Sequence, residues 1–258
     1  TARVGGPDTA GGGRYLREFL EHCVRGKNHV TGEKGTPLDF ISFHAKGAPR
    51  LVDGHVRMGI AEQLRVIDSS FRIIASFPEL KDKPIVIGES DPDGCAACSA
   101  QVYPQNGYRN GTLYASYTAA SFGRFPEIAD RRGVNLDAAL TWAFTFEDQP
   151  LFAGFRQLAT GGIDLPVLNV FRMFSKMSGQ RVAANSDGAV PLDEIVQSSV
   201  RGRPDVSALA SLDGDKLCVM VWHYHDDDVA GPAAAVRLDL AGLPPASTFA
   251  PFAVSSFS

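Results

Sequence analysis

Residues 84–88 read Pro-Ile-Val-Ile-Gly, a β-branched run that is bounded by proline and glycine. Such an uninterrupted apolar run is typical of a strand that is covered on both faces of a parallel sheet. An amphipathic pattern from Met58 to Phe77 precedes it, and another from Thr112 to Asp130 follows it. A strand between two helices of this length predicts a βαβ unit and therefore an α/β fold.

The same alternation extends over most of the first 180 residues. Four βα units of this kind predict a parallel sheet, either open and doubly wound or part of an eight-stranded barrel. The remaining predicted strands cover residues 2–6, 38–44 and 139–146, and the remaining predicted helices cover residues 14–24 and 152–177, the last with an interruption at 161–166.

Beyond Gly179 the pattern changes to short alternating runs at residues 206–212, 217–225 and 234–240. Asp-Gly and Gly-Pro turns separate these runs, which favours antiparallel strands. We therefore predict two regions, an α/β region at residues 1–180 and an antiparallel β region at residues 181–258.

Composition narrows the classes of function. The chain has 258 residues, 44% of them hydrophobic and 21% charged, with a net charge of −4, which is typical of a soluble globular protein. The negative charge argues against a nucleic-acid partner, and the apolar runs are too short to cross a membrane. Gly5-Gly6 and Gly11-Gly12-Gly13 lack the spacing of a nucleotide-binding loop. Because Thr1 follows no initiator methionine or signal segment, we take the sequence as a fragment.

Ionisable residues gather at the carboxyl ends of the predicted strands, where barrel enzymes place their chemistry. His44 and Lys46 follow the second strand, Glu89 follows the third, and Glu147 and Asp148 follow the fourth. A carboxylate directly after a buried strand suits nucleophilic or acid/base catalysis. The alternatives are a loop salt bridge for Glu89, a hydrogen-bonded rim histidine for His44 and a solvated cation for Lys46.

The segments at these strand ends resemble glycoside hydrolase family 39, which contains β-xylosidases and α-L-iduronidases. The resemblance covers about residues 2–182 in collinear order. Its motifs are Val-Gly-Gly-Pro at 4–7, Leu-Asp-Phe-Ile-Ser-Phe-His-Ala-Lys-Gly at 38–47, Ile-Gly-Glu-Ser-Asp-Pro at 87–92, Thr-Phe-Glu-Asp at 145–148 and Leu-Pro-Val-Leu-Asn-Val-Phe-Arg-Met-Phe at 165–174.

The resemblance implies a (β/α)₈ barrel of which residues 1–180 are the second half, strands 5 to 8, followed by part of a β-sandwich at residues 181–258. It implies a retaining glycosidase with Glu89 as the nucleophile, and a second carboxyl about 5 Å away would act as the acid/base. No cofactor and no metal are implied. The residues that match positions around the bound sugar are His44, Lys46, Gly94, Glu147 and Asp148.

In the family, the acid/base glutamate lies upstream of the Gly-Gly-Pro segment, before the position of Thr1. The resemblance therefore gives this chain no acid/base residue, and we expect the chain alone to be inactive. The alternative is a non-catalytic half-barrel that binds sugar or forms a homo-oligomer through its open strand edges.

For the substrate, we favour non-reducing-end xylosyl residues of xylo-oligosaccharides, or an aryl glycoside, because residues 90–98 look like the loop of bacterial xylosidase-type members. A bacterial-type cytoplasmic or periplasmic protein would follow from this. An α-L-iduronide remains the alternative, since Lys46 and Arg156 are cations that a uronate carboxylate would require.

Several motifs have other interpretations. Cys95-Ala-Ala-Cys98 has the spacing of a redox or zinc pair, but no second pair exists, so we favour a loop-bracing disulfide or two packed thiols. His223 and His225 point to one face of a strand and suit a solvated strand end better than a metal site. Trp142 and Tyr108 fit sugar stacking or the core equally. Residues 247–258 match no family pattern.

Overall fold

The computed structural model describes residues 2–242. The helices are Gly13–Arg25 (α1), Ile60–Ala75 (α2), Thr112–Arg132 (α3), Pro166–Phe174 (α4) and Leu192–Ser198 (α5), with a 3₁₀ helix at Pro104–Asn110. The strands are Gly5–Ala10 (β1), Phe40–Lys46 (β2), Arg50–Val52 (β3), His55–Arg57 (β4), Ile85–Asp91 (β5), Leu136–Ala139 (β6), Ala159–Thr160 (β7), Ile163–Asp164 (β8), Gln180–Val182 (β9), Asp205–Asp213 (β10) and Lys216–Tyr224 (β11).

The central element is a four-stranded sheet in the order β1-β2-β5-β6. All three of its strand pairs are parallel. Helices α1, α2 and α3 connect these strands and pack on the sheet and on one another. The α/β fold with a parallel sheet that the sequence predicts is therefore confirmed.

The core lies between this sheet and its helices. Ile41 and Phe43 of β2 are fully buried against apolar residues of α2 such as Phe71, and the Phe43 and Phe71 rings meet edge to face with centroids 5.9 Å apart. Burying one such side chain contributes roughly 1.5–3 kcal/mol. Phe40 precedes Ile41 in β2, and Val86 lies between the buried Ile85 and Ile87 of β5. Both line a cavity of about 190 Å³ with Arg3 and Asp137.

A three-stranded antiparallel sheet in the order β11-β10-β9 follows. Trp222 and Tyr224 of β11 are buried in the same hydrophobic core as the helices. A Cβ atom at Gly123 of α3 would lie 2.6 Å from the Trp222 ring, so glycine allows this close approach. The predicted boundary at residues 180–181 thus lies between elements that pack on each other.

The first turn of α2 is capped from a distant part of the chain. Gly59 precedes the helix and has no side chain to cap it. Instead, the carboxylate of Asp226 accepts hydrogen bonds from the amides of Gly59 and Ile60, at 2.9 and 3.0 Å. The hydroxyl of Ser199 accepts a third, from Ala61, at 3.1 Å. The segment after β11 therefore fixes the start of α2.

The predicted fourth strand at 139–146 is wrong in its position, because β6 covers Leu136–Ala139. Backbone pairing with β5 continues to Leu140, whose amide donates to Ile87 and whose carbonyl accepts from Ser90. It ends at Trp142, whose amide donates to the side chain of Asp91, at 3.1 Å. Since the ladder loses its donor to a carboxylate, the chain leaves the sheet.

Two further predictions are corrected. The predicted helix at 152–177 is reduced to α4, because Gly161 and Gly162 adopt positive φ angles and turn the chain between β7 and β8. The predicted strand at 234–240 has no strand structure, and its apolar residues Val236 and Leu238 are exposed. Alternation alone does not form a strand without a pairing partner.

The prediction for residues 247–258 lies outside the described residues. Among the helices of residues 2–242, none has both the length and the apolar character that a membrane span requires.

Candidate functional site

Strands β2 and β5 bring the predicted site residues together. In their parallel pairing, His44 is opposite Glu89 and Lys46 is opposite Asp91. The register shifts between Phe43 and His44, so that Gly88 is passed over. A bulge of this kind redirects the side chains that follow it and is common beside active sites.

Lys46 is the central cation of this group. Its Nζ lies 2.7 Å from Oε2 of Glu89 and 2.6 Å from Oδ2 of Asp91. The side chains of Lys46 and Glu89 are each 20% exposed, whereas that of Asp91 is fully buried. Charge-assisted hydrogen bonds of this length hold the Glu89 carboxylate in position. Glu89 is the more exposed of the two carboxylates that Lys46 contacts.

His44 contacts the other side of Glu89. Its Nδ1 lies 3.5 Å from Oε2 of Glu89, and its Nε2 lies 3.3 Å from Oδ2 of Asp8. The histidine ring therefore lies between two carboxylates and limits how far Glu89 can swing.

Asp8 reaches this position because of two local features. The β1–β2 register shifts between Pro7 and Thr9, and Asp8 has a φ angle of 53°, so its side chain turns toward β5. A Cβ atom at Gly88 would lie 2.1 Å from Oδ1 of Asp8. Glycine at this position leaves the space that the Asp8 carboxylate fills.

Asp91 is the buried carboxylate of this group, and several partners hold it in place. It accepts hydrogen bonds from the hydroxyl of Thr141 at 2.6 Å and from the amide of Trp142 at 3.1 Å. Nη1 of Arg156 lies 3.1 Å from its Oδ2. With Lys46 as a fourth partner, the buried charge of Asp91 is fully compensated.

A second ion cluster lies directly behind Asp91. Asp93 pairs with Arg109 at 2.7 Å and with Arg156 at 2.6 Å, and it accepts a hydrogen bond from Tyr108 at 2.5 Å. Burial alone would raise the pKa of the Asp93 carboxyl, but the charges of Arg156 and Arg109 outweigh it and hold this pKa below its ordinary value. Burial, with the Asp93 charge, raises the pKa of Tyr108 well above its usual range, so this tyrosine keeps its proton and donates a hydrogen bond to Asp93.

The Cys95–Cys98 pair forms a disulfide beside this cluster. The carbonyls of both cysteines accept hydrogen bonds from Arg109, at 2.7 and 3.0 Å. Of the two alternatives that the sequence left open, a loop-bracing disulfide and two packed thiols, the structure has the disulfide. In residues 2–242, no group of three or more His, Cys, Asp or Glu side chains could hold a metal ion.

The other predicted site residues lie apart from Glu89. Gly94 is exposed between Asp93 and Cys95. Glu147 and Asp148 form an exposed turn, and no ion pair or hydrogen bond within the described residues joins them to the Glu89 group. The structure therefore brings together Glu89, His44 and Lys46 and leaves the remaining three at the surface.

Trp142 forms an exposed aromatic surface next to the cation. Its ring centroid lies 5.7 Å from Nζ of Lys46, and the indole is 40% exposed. Phe144 packs on it edge to face at 4.9 Å and is also exposed. Tyr108, the other aromatic residue that the sequence left open, is buried.

The sequence indicates no role for five residues of this network. Asp8 and Asp91 stand among the ionisable residues at the strand ends, but that position alone assigns them no function. Thr141, Asp93 and Arg109 carry no such signal, because two loops and the 3₁₀ helix bring them into place.

Comparisons with known proteins identify the family. The family model of Glycosyl hydrolases family 39 matches residues 1–245. The chain is 41% identical over 74 residues to α-L-iduronidase of Homo sapiens and 40% identical over 75 residues to that of Mus musculus. Each of these segments covers 29% of this chain and 10% of the relative.

Solved structures share the fold. A bacterial orthologue of human α-L-iduronidase matches with a TM-score of 0.65 and 17% identity, over 87% of this chain and 37% of the other. A monomeric β-xylosidase from Caulobacter crescentus CB15 matches with a TM-score of 0.56 and 18% identity, over 83% of this chain and 38% of the other. This chain therefore spans well under half the length of these proteins. Because the family match covers residues 1–245 of 258, the chain belongs to Glycosyl hydrolases family 39.

Proposed function

We propose that this chain carries the nucleophile of a retaining glycosidase, with Glu89 in that role. The observation that carries the proposal is the position of Glu89, partly exposed at the carboxyl end of a parallel strand and held by Lys46 at 2.7 Å. A nucleophile needs a free lone pair and a fixed direction of approach. Glu89 has one oxygen held by Lys46 and His44, which leaves the other to react.

In the first step, this oxygen attacks the anomeric carbon of the sugar. The bond between that carbon and the aglycone oxygen breaks, and an acid donates a proton to the leaving oxygen. Water then attacks the same carbon, gives its proton to the conjugate base, and releases Glu89. His44 and Lys46 keep the carboxylate aligned in both steps, while Asp91 holds Lys46 in place.

The acid must be a second carboxyl about 5 Å from Glu89. Among the described residues, Asp91 and Asp8 are the carboxylates linked to the Glu89 group. Asp91 is fully buried with four partners, and Asp8 is engaged by His44. Asp91 is too enclosed to follow a leaving group, and the family resemblance places the acid upstream of the Gly-Gly-Pro segment at residues 5–7, so we assign the acid to a residue outside this sequence.

The fold proposal follows from the sheet. Its outer strands are β1 and β6, and Phe40 and Val86 line an open cavity on it. We propose that this sheet is strands 5 to 8 of an eight-stranded barrel whose interior contains that cavity. Residues 181–258 would then belong to an accompanying β-sandwich, and Gly94, Glu147 and Asp148 to loops around the sugar.

Covalent trapping tests the nucleophile without requiring the acid. A 2,4-dinitrophenyl 2-deoxy-2-fluoro-β-xyloside has a leaving group that departs without protonation, and its fluorine slows the second step. Incubation followed by peptide mass spectrometry should find the fluoroxylosyl group on Glu89. Glu89→Gln should abolish labelling, whereas Glu194→Gln, an exposed glutamate on α5, should label like the parent. Labelling of another carboxylate, or none, contradicts the proposal.

For the glycone, the geometry favours a neutral pentose. Lys46 is paired with two carboxylates, and Arg156 is fully buried with Asp91 and Asp93 as partners. A uronate carboxylate would have to displace one of these pairs. We therefore keep the β-xyloside as the first candidate, with xylo-oligosaccharides as the natural substrate class.

An α-L-iduronide is the second candidate, because the mammalian relatives at 40–41% identity are α-L-iduronidases. Parallel trapping with the matching 2-fluoro-α-L-iduronide separates the two. A faster second-order labelling rate at Glu89 with the xyloside supports the first candidate, and a faster rate with the iduronide supports the second.

A further inference from the structure

A polar cavity of about 130 Å³ lies at the start of α2, between the β3–β4 hairpin and the segment that follows α5. It is separate from the Glu89 group, and no residue of that group lines it. The chain as a whole has a net charge of −4, yet four arginines and only two carboxylates line this cavity. These are Arg50, Arg57, Arg65 and Arg201, with Glu62 and Asp226.

The hairpin places two of the arginines against each other. Arg50 and Arg57 are directly opposite in the β3–β4 pairing. Like charges at such positions are destabilising unless another charge compensates them. Asp227 compensates Arg57 through two hydrogen bonds, at 2.5 and 2.9 Å. Within residues 2–242, Arg50 has no carboxylate partner.

The acidic residues at the cavity have partners already. Asp226 is turned toward the amides of Gly59 and Ile60. Glu62 is paired with Arg65 at 2.8 Å, and Arg65 also donates to the carbonyl of Val196.

Two guanidinium groups are left over. Arg201 enters from the segment after α5 and, like Arg50, makes no ion pair with the described part of the chain. Both are exposed, and both line the same cavity. The charge that remains unpaired at the cavity is therefore positive.

We propose that this cavity binds a tetrahedral oxyanion, a sulfate or a phosphate group, through Arg50 and Arg201. Guanidinium forks match such oxygens bidentately. The cavity, of about 130 Å³, has room for one such group. The hairpin follows β2, which ends at Lys46, so it begins at the carboxyl end of the sheet, where Glu89 also lies. A sulfate or phosphate ester on a carbohydrate chain is thus one source of the group, and the free ion is the other.

Titration calorimetry on the whole chain tests the site independently of Glu89. Sodium sulfate and sodium phosphate are titrated at constant ionic strength, with sodium chloride as the blank. We expect saturable binding of one anion per chain. The double variant Arg50→Gln/Arg201→Gln should raise the dissociation constant about tenfold or more. Arg17→Gln, an exposed arginine on α1, should bind like the parent.

Glucose 6-sulfate and glucose 6-phosphate distinguish the two sources. Tighter binding of an ester than of its free ion supports a carbohydrate-borne group, and equal or weaker binding supports the free ion. Heat no larger than that of chloride, or a dissociation constant unchanged in the double variant, would overturn the proposal. Far-ultraviolet circular dichroism of each variant shows that a loss of binding is not a loss of fold.

Discussion

Asp93 and Asp226 are both buried carboxylates, and their surroundings have opposite effects. Asp93 lies between two guanidinium groups, those of Arg109 and Arg156. Asp226 has neutral donors, two backbone amides and the hydroxyl of Tyr224 at 2.9 Å. Burial raises the pKa of Asp226 above its ordinary value, and its hydrogen bonds only partly oppose this. At Asp93 the arginine charges overcome burial, and the pKa is lowered.

The difference shows that burial alone does not determine the charge state; the charge of the partners does. It also gives the two residues opposite dependence on pH. A lowered pKa stabilises the fold above the ordinary pKa of aspartate, and this contribution is lost as pH falls toward the lowered value. A raised pKa stabilises the fold at low pH, and this contribution is lost as pH rises from the ordinary value through the raised one.

Asp93→Asn should have the largest effect on stability. It removes the charge that compensates Arg109 and Arg156, whose side chains are fully buried. Breaking a buried ion pair from one side costs about 3–5 kcal/mol. Urea denaturation should show this loss in the free energy of unfolding at neutral pH, with exposed Asp137→Asn as the control. A loss no greater than that of the control would mean that the arginines do not depend on Asp93.

Asp205→Asn should lower the free energy of unfolding less than Asp93→Asn does and more than Asp226→Asn does. Asp205 is fully buried but has a single arginine, Arg124 at 2.8 Å, together with the indole N–H of Trp222 at 2.8 Å. Because Arg124 keeps Glu127 and the carbonyl of Val190 as partners, we expect a loss of roughly 2–3 kcal/mol. The same urea titration ranks the variants. A loss above that of Asp93→Asn would contradict the expectation that the loss increases with the number of arginines that contact the carboxylate.

Opening the disulfide with Cys95→Ser/Cys98→Ser tests whether the Asp93 cluster depends on its loop. A ring this short restricts the unfolded chain by at most about 2 kcal/mol. If the carbonyls of Cys95 and Cys98 keep their bonds to Arg109, the loss should stay within that figure. The control is Cys218→Ser, a free cysteine. A loss as large as that of Asp93→Asn would show that the disulfide holds the whole cluster.

Asp226→Asn should have the smallest effect at neutral pH, about 1 kcal/mol. The variant loses one acceptor for the α2 amides, but it also loses a charge that is costly to bury. In the parent, the contribution of Asp226 to stability should be lost as pH rises from the ordinary pKa of aspartate. In the variant, this loss should be absent. Unfolding curves at a series of pH values compare the two chains, and parallel pH profiles would contradict the assignment of this titration to Asp226.

The sequence predicted those parts of the molecule that depend on local pattern. The β-branched run at 84–88 and the amphipathic stretch before it correctly indicated β5 and α2, and residues at their strand ends indicated the group of Glu89, His44 and Lys46. The boundaries were less accurate: β1 begins at Gly5 rather than at residue 2.

Other features depend on contacts between distant residues. The cap of α2 comes from Asp226, separated from Gly59 by 167 positions, and Gly59 itself gives no capping signal. Arg109 carries no signal in the sequence, and Arg156 stands out there only as a possible partner of a uronate carboxylate. Folding buries both beside Asp93. The end of β6 likewise depends on Asp91, which takes the Trp142 amide out of the ladder.

The contact between Gly88 and Asp8 has an evolutionary consequence. The Asp8 carboxylate occupies the volume that any side chain at residue 88 would need, and Asp8 in turn contacts His44. Residues 8 and 88 are therefore not free to change independently. A side chain at residue 88 requires the half-exposed Asp8 carboxylate to move away, and that movement withdraws one of the two carboxylates that His44 contacts. A substitution at residue 88 thus acts on the surroundings of Glu89 through Asp8 and His44.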